Sequence, residues 1–279
     1  MNVSDAGCDS GVCSNCDSCR GCHVRRPADV RNIVHLGAVR IAAGIGNDSP
    51  PSDIAPLIDH TLLKADASRD ELKKLCDEAK KYGFATVCVN PVNVRYCASQ
   101  LEGSSTKAIA VVGFPLGASL PSAKAFETRQ AIRDGAQEID MVINIAALKA
   151  KDYAAVLDDI CAVVGVSSKP VKVILETAML TDDEKIIAST LSKVAGAAFV
   201  KTSTGFGPGG ATAHDVALMR RIVGTEMGVK ASGGIRTTED AREMINAGAT
   251  RLGASASVGI VTGIDAKTAT SKTKKTGSY

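Results

Sequence analysis

The chain has 279 residues, of which 45% are hydrophobic and 3% aromatic, and its formal net charge is +3. A nearly neutral chain with few aromatic rings lacks the basic surface and the stacking platforms typical of nucleic-acid-binding proteins. No segment approaches the roughly 20 consecutive apolar residues that a membrane-spanning helix needs, so we expect a soluble, cytoplasmic protein without nucleic-acid or membrane partners.

The first 28 residues form a polar, cysteine-rich leader, which we expect to be disordered. This composition argues against a secretory signal, which would need an apolar core. Four cysteines follow the pattern C-x2-C-x2-C-x2-C from Cys13 to Cys22, and thiolates at this spacing can converge on zinc or an iron–sulfur cluster. Structural zinc sites usually pair two such knuckles across a longer loop, and no second knuckle follows. Metal binding by the leader therefore stays the alternative to disorder.

The rest of the chain divides into three parts. Residues 29–53 carry apolar residues at helical spacing and end in NDSPPSD, which predicts a helix and a linker. From residue 54 to residue 264, short runs rich in Val and Ile alternate with amphipathic segments, which predicts one barrel domain. Residues 265–279 lose the apolar periodicity and consist mainly of Thr, Ser, Lys and Gly, so we expect a flexible tail.

Eight apolar runs read as strands of a parallel sheet, because helix-like segments separate them. Several of those segments open on Ser or Thr, have acids in the first turn and end at Gly, as capped helices do. An open sheet that binds a dinucleotide would need G-x-G-x-x-G after its first strand, but residues 59–66 contain no glycine. The pattern favours an α/β fold of the (β/α)8 TIM-barrel type, with strands at residues 57–59, 84–90, 108–114, 138–144, 171–177, 197–203, 228–232 and 251–255.

Ionisable residues lie on several of these apolar runs, where the βα loops of a barrel build the active site. Asp59 is placed at the end of the first strand, Asp140 within the fourth, Lys172 and Glu176 on the fifth, Lys201 at the end of the sixth and Lys230 on the seventh. A single such residue is explained by a solvated strand end or a paired core charge. Several that converge are harder to explain structurally, since buried charges are costly unless paired or used.

Two lysines on neighbouring strands suggest a specific chemistry. Ammonium groups held close together disfavour each other's charge, so one of them titrates below the ordinary lysine pKa of about 10.4. A neutral amine can attack a carbonyl and form a Schiff base. Lys201 is the candidate nucleophile and Lys230 the neighbour that activates it, while Asp140 is the candidate for moving protons.

Two glycine-rich segments, at residues 232–237 and 253–257, follow the seventh and eighth predicted strands. In (β/α)8 enzymes, backbone N–H groups at this place commonly hold a phosphate. Each segment alone is more often a plain turn. Together, beside a lysine pair, they favour a phosphorylated substrate.

These segments resemble the deoxyribose-phosphate aldolase family of class I aldolases, in the family's order and over roughly residues 54–260. K-T-S-T-G-F together with K-A-S-G-G-I is the most specific combination. The matching segments are LIDHTLLK, VCVNP, VVGFPLG, EIDMVIN, VKVILET, FVKTSTGF, VKASGGIRT and RLGASAS.

The resemblance implies reversible cleavage of 2-deoxy-D-ribose 5-phosphate to D-glyceraldehyde 3-phosphate and acetaldehyde, without metal or other cofactor. It assigns the Schiff base to Lys201, the activating role to Lys230 and the proton relay to Asp140. The positions that it implies for substrate binding or for support of the site are Asp59, Lys172, Thr204, Gly205, Gly233, Gly234 and Ser255. A homodimer is left open.

The chain departs from the family at two positions near the expected phosphate. Some members have lysine where Phe206 stands, and some have two serines where this chain has Ser255 and Ala256, so we expect weaker phosphate binding. The last residue is Tyr279, and some members also end on a tyrosine. Its phenol is a candidate for proton transfer at the enamine carbon, the alternative being a plain solvated tail.

Two other functions stay open on the sequence alone. One is a different Schiff-base aldolase or a transaldolase, which would keep Lys201 but favour a ketone donor. The other is a catalytically silent barrel whose leader binds a metal or a partner.

Overall fold

The computed structural model describes residues 53–263. The predicted leader, most of the predicted helix and linker, and the tail with Tyr279 lie outside the described residues.

Eight parallel strands form a closed barrel in which each strand pairs with the next and the eighth pairs with the first. This confirms the predicted TIM barrel and not the open sheet. The strands are β1 (Ile58–Leu62), β2 (Thr86–Val89), β3 (Lys107–Val112), β4 (Ile139–Val142), β5 (Val171–Ile174), β6 (Phe199–Lys201), β7 (Gly228–Ser232) and β8 (Arg251–Ala254).

Helices follow the strands and cover the outside of the barrel. They are α1 (Arg69–Tyr82), α2 (Val94–Gln100), α3 (Pro121–Arg133), α4 (Ile145–Lys149), α5 (Tyr153–Val164), α6 (Asp182–Val194), α7 (Ala213–Val223), α8 (Thr238–Asn246) and α9 (Ser257–Thr262). Within residues 53–263, short 3-10 turns occur at Ala55–Leu57, Pro91–Asn93 and Thr177–Met179. No helix within this part of the chain is long and apolar enough to cross a membrane.

The predicted caps are present on three helices. Ser68, Thr181 and Thr237 each accept a hydrogen bond from the backbone of the residue three positions later, whose carboxylate accepts one in return. Such capping boxes satisfy N–H groups that the first helical turn leaves unpaired. Local sequence therefore sets where these three helices begin, and with it where the preceding βα loops end.

Strand alternation divides the buried residues into two sets. Side chains that point outward, such as Val87, Val173 and Val229, pack with the helices in one large apolar core. Side chains that point inward are apolar near β2 and β3, where Cys88, Ile109 and Val111 pack with Leu63. The remaining interior is polar and charged, and the candidate site residues lie there.

The predicted strand limits were wrong at two residues near the candidate site. The first strand was expected to end at Asp59 but continues to Leu62, because His60, Thr61 and Leu62 all pair with β2. Asp59 therefore lies near the start of β1. Glu176 was placed on the fifth strand but lies two residues beyond β5, where its φ of 58° turns the backbone out of the sheet.

Candidate active site

The three residues predicted to carry the chemistry meet inside the barrel. Lys201 and Lys230 are register partners on β6 and β7, so their side chains leave the sheet at the same height. Asp140, on β4, accepts hydrogen bonds from both at a single oxygen, Oδ2, at 2.9 Å from Lys201 Nζ and 2.7 Å from Lys230 Nζ. One carboxylate oxygen thus joins the two amines.

Lys201 is the member of this trio nearest to solvent. It ends β6 and keeps 3% of its surface exposed, whereas Asp140 and Lys230 are fully buried. Since parallel strands of a barrel end at the same face, this places the Lys201 amine toward the face built by the βα loops. A substrate that enters from that face reaches Lys201 first.

The two lysines have opposite electrostatic environments. Burial lowers the pKa of Lys201, the charge of Lys230 lowers it further, and Asp140 opposes both effects. Burial also disfavours the charge of Lys230, but Asp140 and Asp59 outweigh it and raise the pKa of that lysine. The pair therefore separates into a cation, Lys230, and an amine that loses its proton more easily, Lys201.

Cys88 on β2 also faces this site. Burial raises the pKa of its thiol to about 11, so the thiol stays neutral at physiological pH. It adds no charge beside Lys201.

Asp59 and Lys172 lie in a layer beneath the trio. Lys172 Nζ lies 2.8 Å from Asp140 Oδ1, and Lys230 Nζ lies 2.5 Å from Asp59 Oδ2. Both residues are fully buried. They hold Asp140 and Lys230 in place, which fits the predicted role of support better than direct contact with a substrate.

Two residues of this layer were missed by the sequence analysis. Arg251 donates hydrogen bonds to Asp59 Oδ1 at 2.7 Å and to both oxygens of Glu138 at 3.0 and 3.3 Å. Glu138 also lies 2.5 Å from Lys172 Nζ. Each is the first residue of a predicted apolar run, and a charged residue at that position was a usable signal. Neither was predicted, because catalytic groups were expected at the other end of the strands.

Glu176, which the sequence analysis named on the fifth strand without giving it a role, lies at the mouth of the barrel. It is 3% exposed, and its carboxylate accepts hydrogen bonds from the Thr204 backbone N–H at 3.2 Å and from the Thr204 hydroxyl. A Cβ on Gly207 would come within about 3 Å of the same carboxylate. Glu176 therefore fixes the start of the loop after β6, and it engages the hydroxyl of Thr204, a position that the resemblance implies for substrate binding.

The glycine positions predicted to surround a phosphate lie on adjacent loops, after β6 and β7. Gly205, Gly233 and Gly234 have φ values of 87°, 86° and 82°, which favour glycine over other residues. The Ala211 N–H donates to the Gly233 carbonyl at 2.9 Å and ties the two loops together. Gly205 and Gly234 are exposed and Gly233 is half-buried.

The loop after β8 completes this face. Ser255 is exposed directly after the strand, and β8 neighbours β7. The fold therefore brings the predicted phosphate-binding positions to one face, on the same side of the strands as Lys201. Phe206 is 59% exposed there and contacts the ring of Phe114 edge to face.

The family model and the curated relatives both point to an aldolase family. A family model described as DeoC/LacD family aldolase matches residues 54–268. A deoxyribose-phosphate aldolase of Streptococcus uberis is 61% identical over 194 residues, which are 69% of this chain and 88% of that protein. Another, of Lysinibacillus sphaericus, is 56% identical over 200 residues, 71% of this chain and 90% of the relative.

Solved structures agree with the sequence comparisons. The crystal structure of a putative deoxyribose-phosphate aldolase from Coccidioides immitis is 42% identical, with a TM-score of 0.75, and the match covers 84% of this chain and 97% of that one. A deoxyribose phosphate aldolase from Aeropyrum pernix, described as having a unique tetrameric structure, is 32% identical with a TM-score of 0.72 and covers 83% and 96%.

Proposed function

The chain belongs to the DeoC/LacD aldolase family, and we propose that it cleaves 2-deoxy-D-ribose 5-phosphate reversibly to D-glyceraldehyde 3-phosphate and acetaldehyde. The observation that carries this proposal is the buried Lys201 amine toward the open end of the barrel, which shares one oxygen of Asp140 with Lys230 and has a lowered pKa. The curated relatives described above carry the name of this activity over most of their own length.

The first step is attack of the neutral Lys201 amine on the aldehyde carbon of the substrate. The carbinolamine that forms loses water and becomes a protonated Schiff base, which carries the positive charge that the free amine lacked. Lys230 donates its proton to the departing hydroxyl, which leaves as water, and becomes a neutral amine beside the cationic Schiff base. It is placed for this transfer because it contacts the same carboxylate oxygen of Asp140 as Lys201 does.

Carbon–carbon cleavage follows from the electron demand of the Schiff base. The substrate C3 hydroxyl gives its proton to Asp140, which passes it to the neutral Lys230 and so restores the ammonium group. The C2–C3 bond breaks, and its electron pair moves to the iminium nitrogen to give an enamine and glyceraldehyde 3-phosphate. Protonation of the enamine carbon and addition of water then release acetaldehyde and restore Lys201.

Asp140 acts in these steps as a proton relay and does not rest in its protonated form. Burial disfavours its charge, but Lys172, Lys201 and Lys230 outweigh burial and hold the pKa of its carboxyl well below the ordinary value. It is therefore a carboxylate between turnovers and carries a proton only in passing between Lys230 and the reacting centre. Tyr279 stays a candidate for protonating the enamine carbon.

The phosphate of the substrate binds, in this proposal, to the face formed by the loops after β6, β7 and β8. Backbone N–H groups around Gly205, Gly233 and Gly234 are available there without obstructing side chains, and Ser255 adds a hydroxyl. Phe206 supplies an apolar ring where a lysine would attract the anion, so the affinity for phosphate depends on backbone donors.

The test is an assay of purified protein with 2-deoxy-D-ribose 5-phosphate, in which both products are identified. Wild-type protein and Lys74→Leu, a change at an exposed lysine of α1, should release acetaldehyde and glyceraldehyde 3-phosphate, and Lys201→Leu should not. In the reverse direction acetaldehyde should serve as donor and dihydroxyacetone should not. Turnover by Lys201→Leu would refute the proposal, and a preference for dihydroxyacetone would favour the transaldolase alternative.

Assembly and location complete the proposal. We propose a homodimer, supported by apolar side chains that are 63–81% exposed on one side of the molecule, at Val92, Leu116, Leu120 and Phe126. Light scattering should give twice the mass of the chain.

We propose a cytoplasmic location because Cys76, Cys88 and Cys97 are buried free thiols, as in proteins of reducing compartments.

A further inference from the structure

The polar half of the barrel interior holds more ionisable groups than the proposed reaction uses. Seven residues, each at most 9% exposed, form one connected cluster there. Three are carboxylates and four are cations: Asp59, Glu138 and Asp140, and Lys172, Lys201, Lys230 and Arg251.

Glu138 and Arg251 form the lowest part of this cluster, away from the loops. Arg251 is the first residue of β8, and Glu138 immediately precedes β4. The guanidinium contacts both oxygens of the Glu138 carboxylate, and one of its nitrogens also lies 2.7 Å from Asp59 Oδ1. Neither residue contacts Lys201.

Two chains of ion pairs connect this lower pair to the reacting amine. On one side Glu138 contacts Lys172 at 2.5 Å, and Lys172 contacts Asp140 at 2.8 Å. On the other side Arg251 contacts Asp59, which lies 2.5 Å from Lys230. The first chain ends on Asp140, which contacts Lys201, and the second ends on Lys230, the register partner of Lys201 on β7.

The balance of charges within the cluster explains why it favours a neutral Lys201. Three carboxylates balance three cations, and a fourth cation would leave a net charge buried in the protein, which is costly. Burial disfavours the charge of the other three cations too, but nearby carboxylates outweigh it and raise the pKa values of Lys172, Lys230 and Arg251. Among the four basic side chains of this cluster, Lys201 is the one whose pKa is lowered.

We propose that Glu138 and Arg251 are positioning residues for the Schiff-base lysine, which set the charge of the barrel interior so that Lys201 is its uncharged member. This inference rests on the proposed function. It adds two residues, at the opposite end of the strands from the substrate, to the machinery that prepares the nucleophile.

The groups that face Lys201 directly are few. Asp140 approaches from β4, Lys230 from β7 and Cys88 from β2, while Glu176, beyond β5, is engaged by Thr204. A substitution at Glu138 or Arg251 leaves all of these in place. The contacts that it removes are with Lys172 or Asp59, neither of which touches Lys201, so the two positions are suitable for a test by charge.

The experiment measures the protonation of Lys201 without relying on aldolase activity. Wild-type protein and variants are treated with formaldehyde and cyanoborohydride at a series of pH values, and methylation at Lys201 is followed by peptide mass spectrometry. The variants are Glu138→Gln, Arg251→Met, the double variant and Arg251→Lys, which keeps the charge. Cleavage of the sugar phosphate is assayed in parallel, so loss of the proposed function is seen separately.

The expected shifts have opposite signs. Arg251→Met leaves an excess carboxylate, so Lys201 should hold its proton to higher pH, by roughly one unit for a charge about 10 Å away at an effective dielectric constant of about 20. Glu138→Gln leaves an excess cation and should move the titration to lower pH. The double variant and Arg251→Lys should titrate close to wild type. Unshifted titrations in both single variants, or shifts in the same direction, would overturn the proposal.

Discussion

Replacing Lys230 by methionine removes the charge nearest to the nucleophile while keeping a long, flexible side chain. Lys201 and Lys230 contact the same oxygen of Asp140 at 2.9 and 2.7 Å, so their nitrogens are separated by at most the sum of these distances, about 5.6 Å. Two unit charges at that distance, in an effective dielectric constant of about 20, repel by about 3 kcal/mol. Removing the repulsion should raise the pKa of Lys201 by about two units.

The sign of the effect follows from the state that reacts. Lys201 attacks as the neutral amine, so its activity is present above its pKa and is lost as the pH falls through it. At a pH below the wild-type pKa of Lys201, a rise of about two units lowers the neutral fraction by about 100-fold, and the loss is smaller above it. For Lys230→Met, kcat/KM at pH 7 should therefore fall by up to that factor, and it should then increase about tenfold per pH unit over a wider range than in wild type.

The assay is kcat/KM for release of acetaldehyde from pH 6 to pH 9.5, with the melting temperature measured at each pH. Lys185→Met is the matched control, because Lys185 is also largely buried and paired with carboxylates but lies on α6, outside the barrel interior. It should keep the wild-type pH profile. A Lys230→Met profile with the wild-type shape, merely scaled down, would refute the coupling between the two lysines.

Three further predictions concern the ends of the chain and the floor of the barrel. Tyr279→Phe should lower turnover roughly 100-fold and slow deuterium exchange into acetaldehyde without changing Tm; wild-type rates would leave the tail as plain solvated chain. Removal of residues 1–28 should change neither kcat nor Tm, whereas a large loss, or metal bound only by the intact protein, would give the leader a role. Gly228→Ala should destabilise the fold by about 2 kcal/mol, or roughly 4–8 °C in Tm, because the added Cβ would lie 2.1 Å from the Phe199 ring. Adding Phe199→Leu should recover part of that loss, and equal Tm values for wild type and Gly228→Ala would contradict the packing argument.

The sequence was sufficient for the barrel and for the convergence of Lys201, Lys230 and Asp140 inside it. Alternating apolar runs and capped helices predict the (β/α)8 order locally, and Lys201 and Lys230 then follow at the same height because neighbouring parallel strands share a register. Asp140 was found by the same reasoning, as a charge within an otherwise apolar run.

What the sequence did not predict depends on contacts that only the closed barrel creates. Arg251 reaches Asp59 and Glu138 because β8 pairs with β1 and the interior is narrow, and no local pattern contains that information. The left-handed backbone of Glu176, a residue type that rarely adopts it, was likewise invisible in the sequence. The leader and the role of Tyr279 remain predictions.

The central claim is that Lys201 is the amine that forms the Schiff base, and covalent trapping tests it most directly. Purified wild-type protein is incubated with acetaldehyde, reduced with borohydride, digested and mapped by mass spectrometry. We predict an ethyl group on Lys201, with Lys172 and Lys230 unmodified. Modification of either of those lysines in place of Lys201, or no stable adduct while the enzyme turns over, would contradict the account.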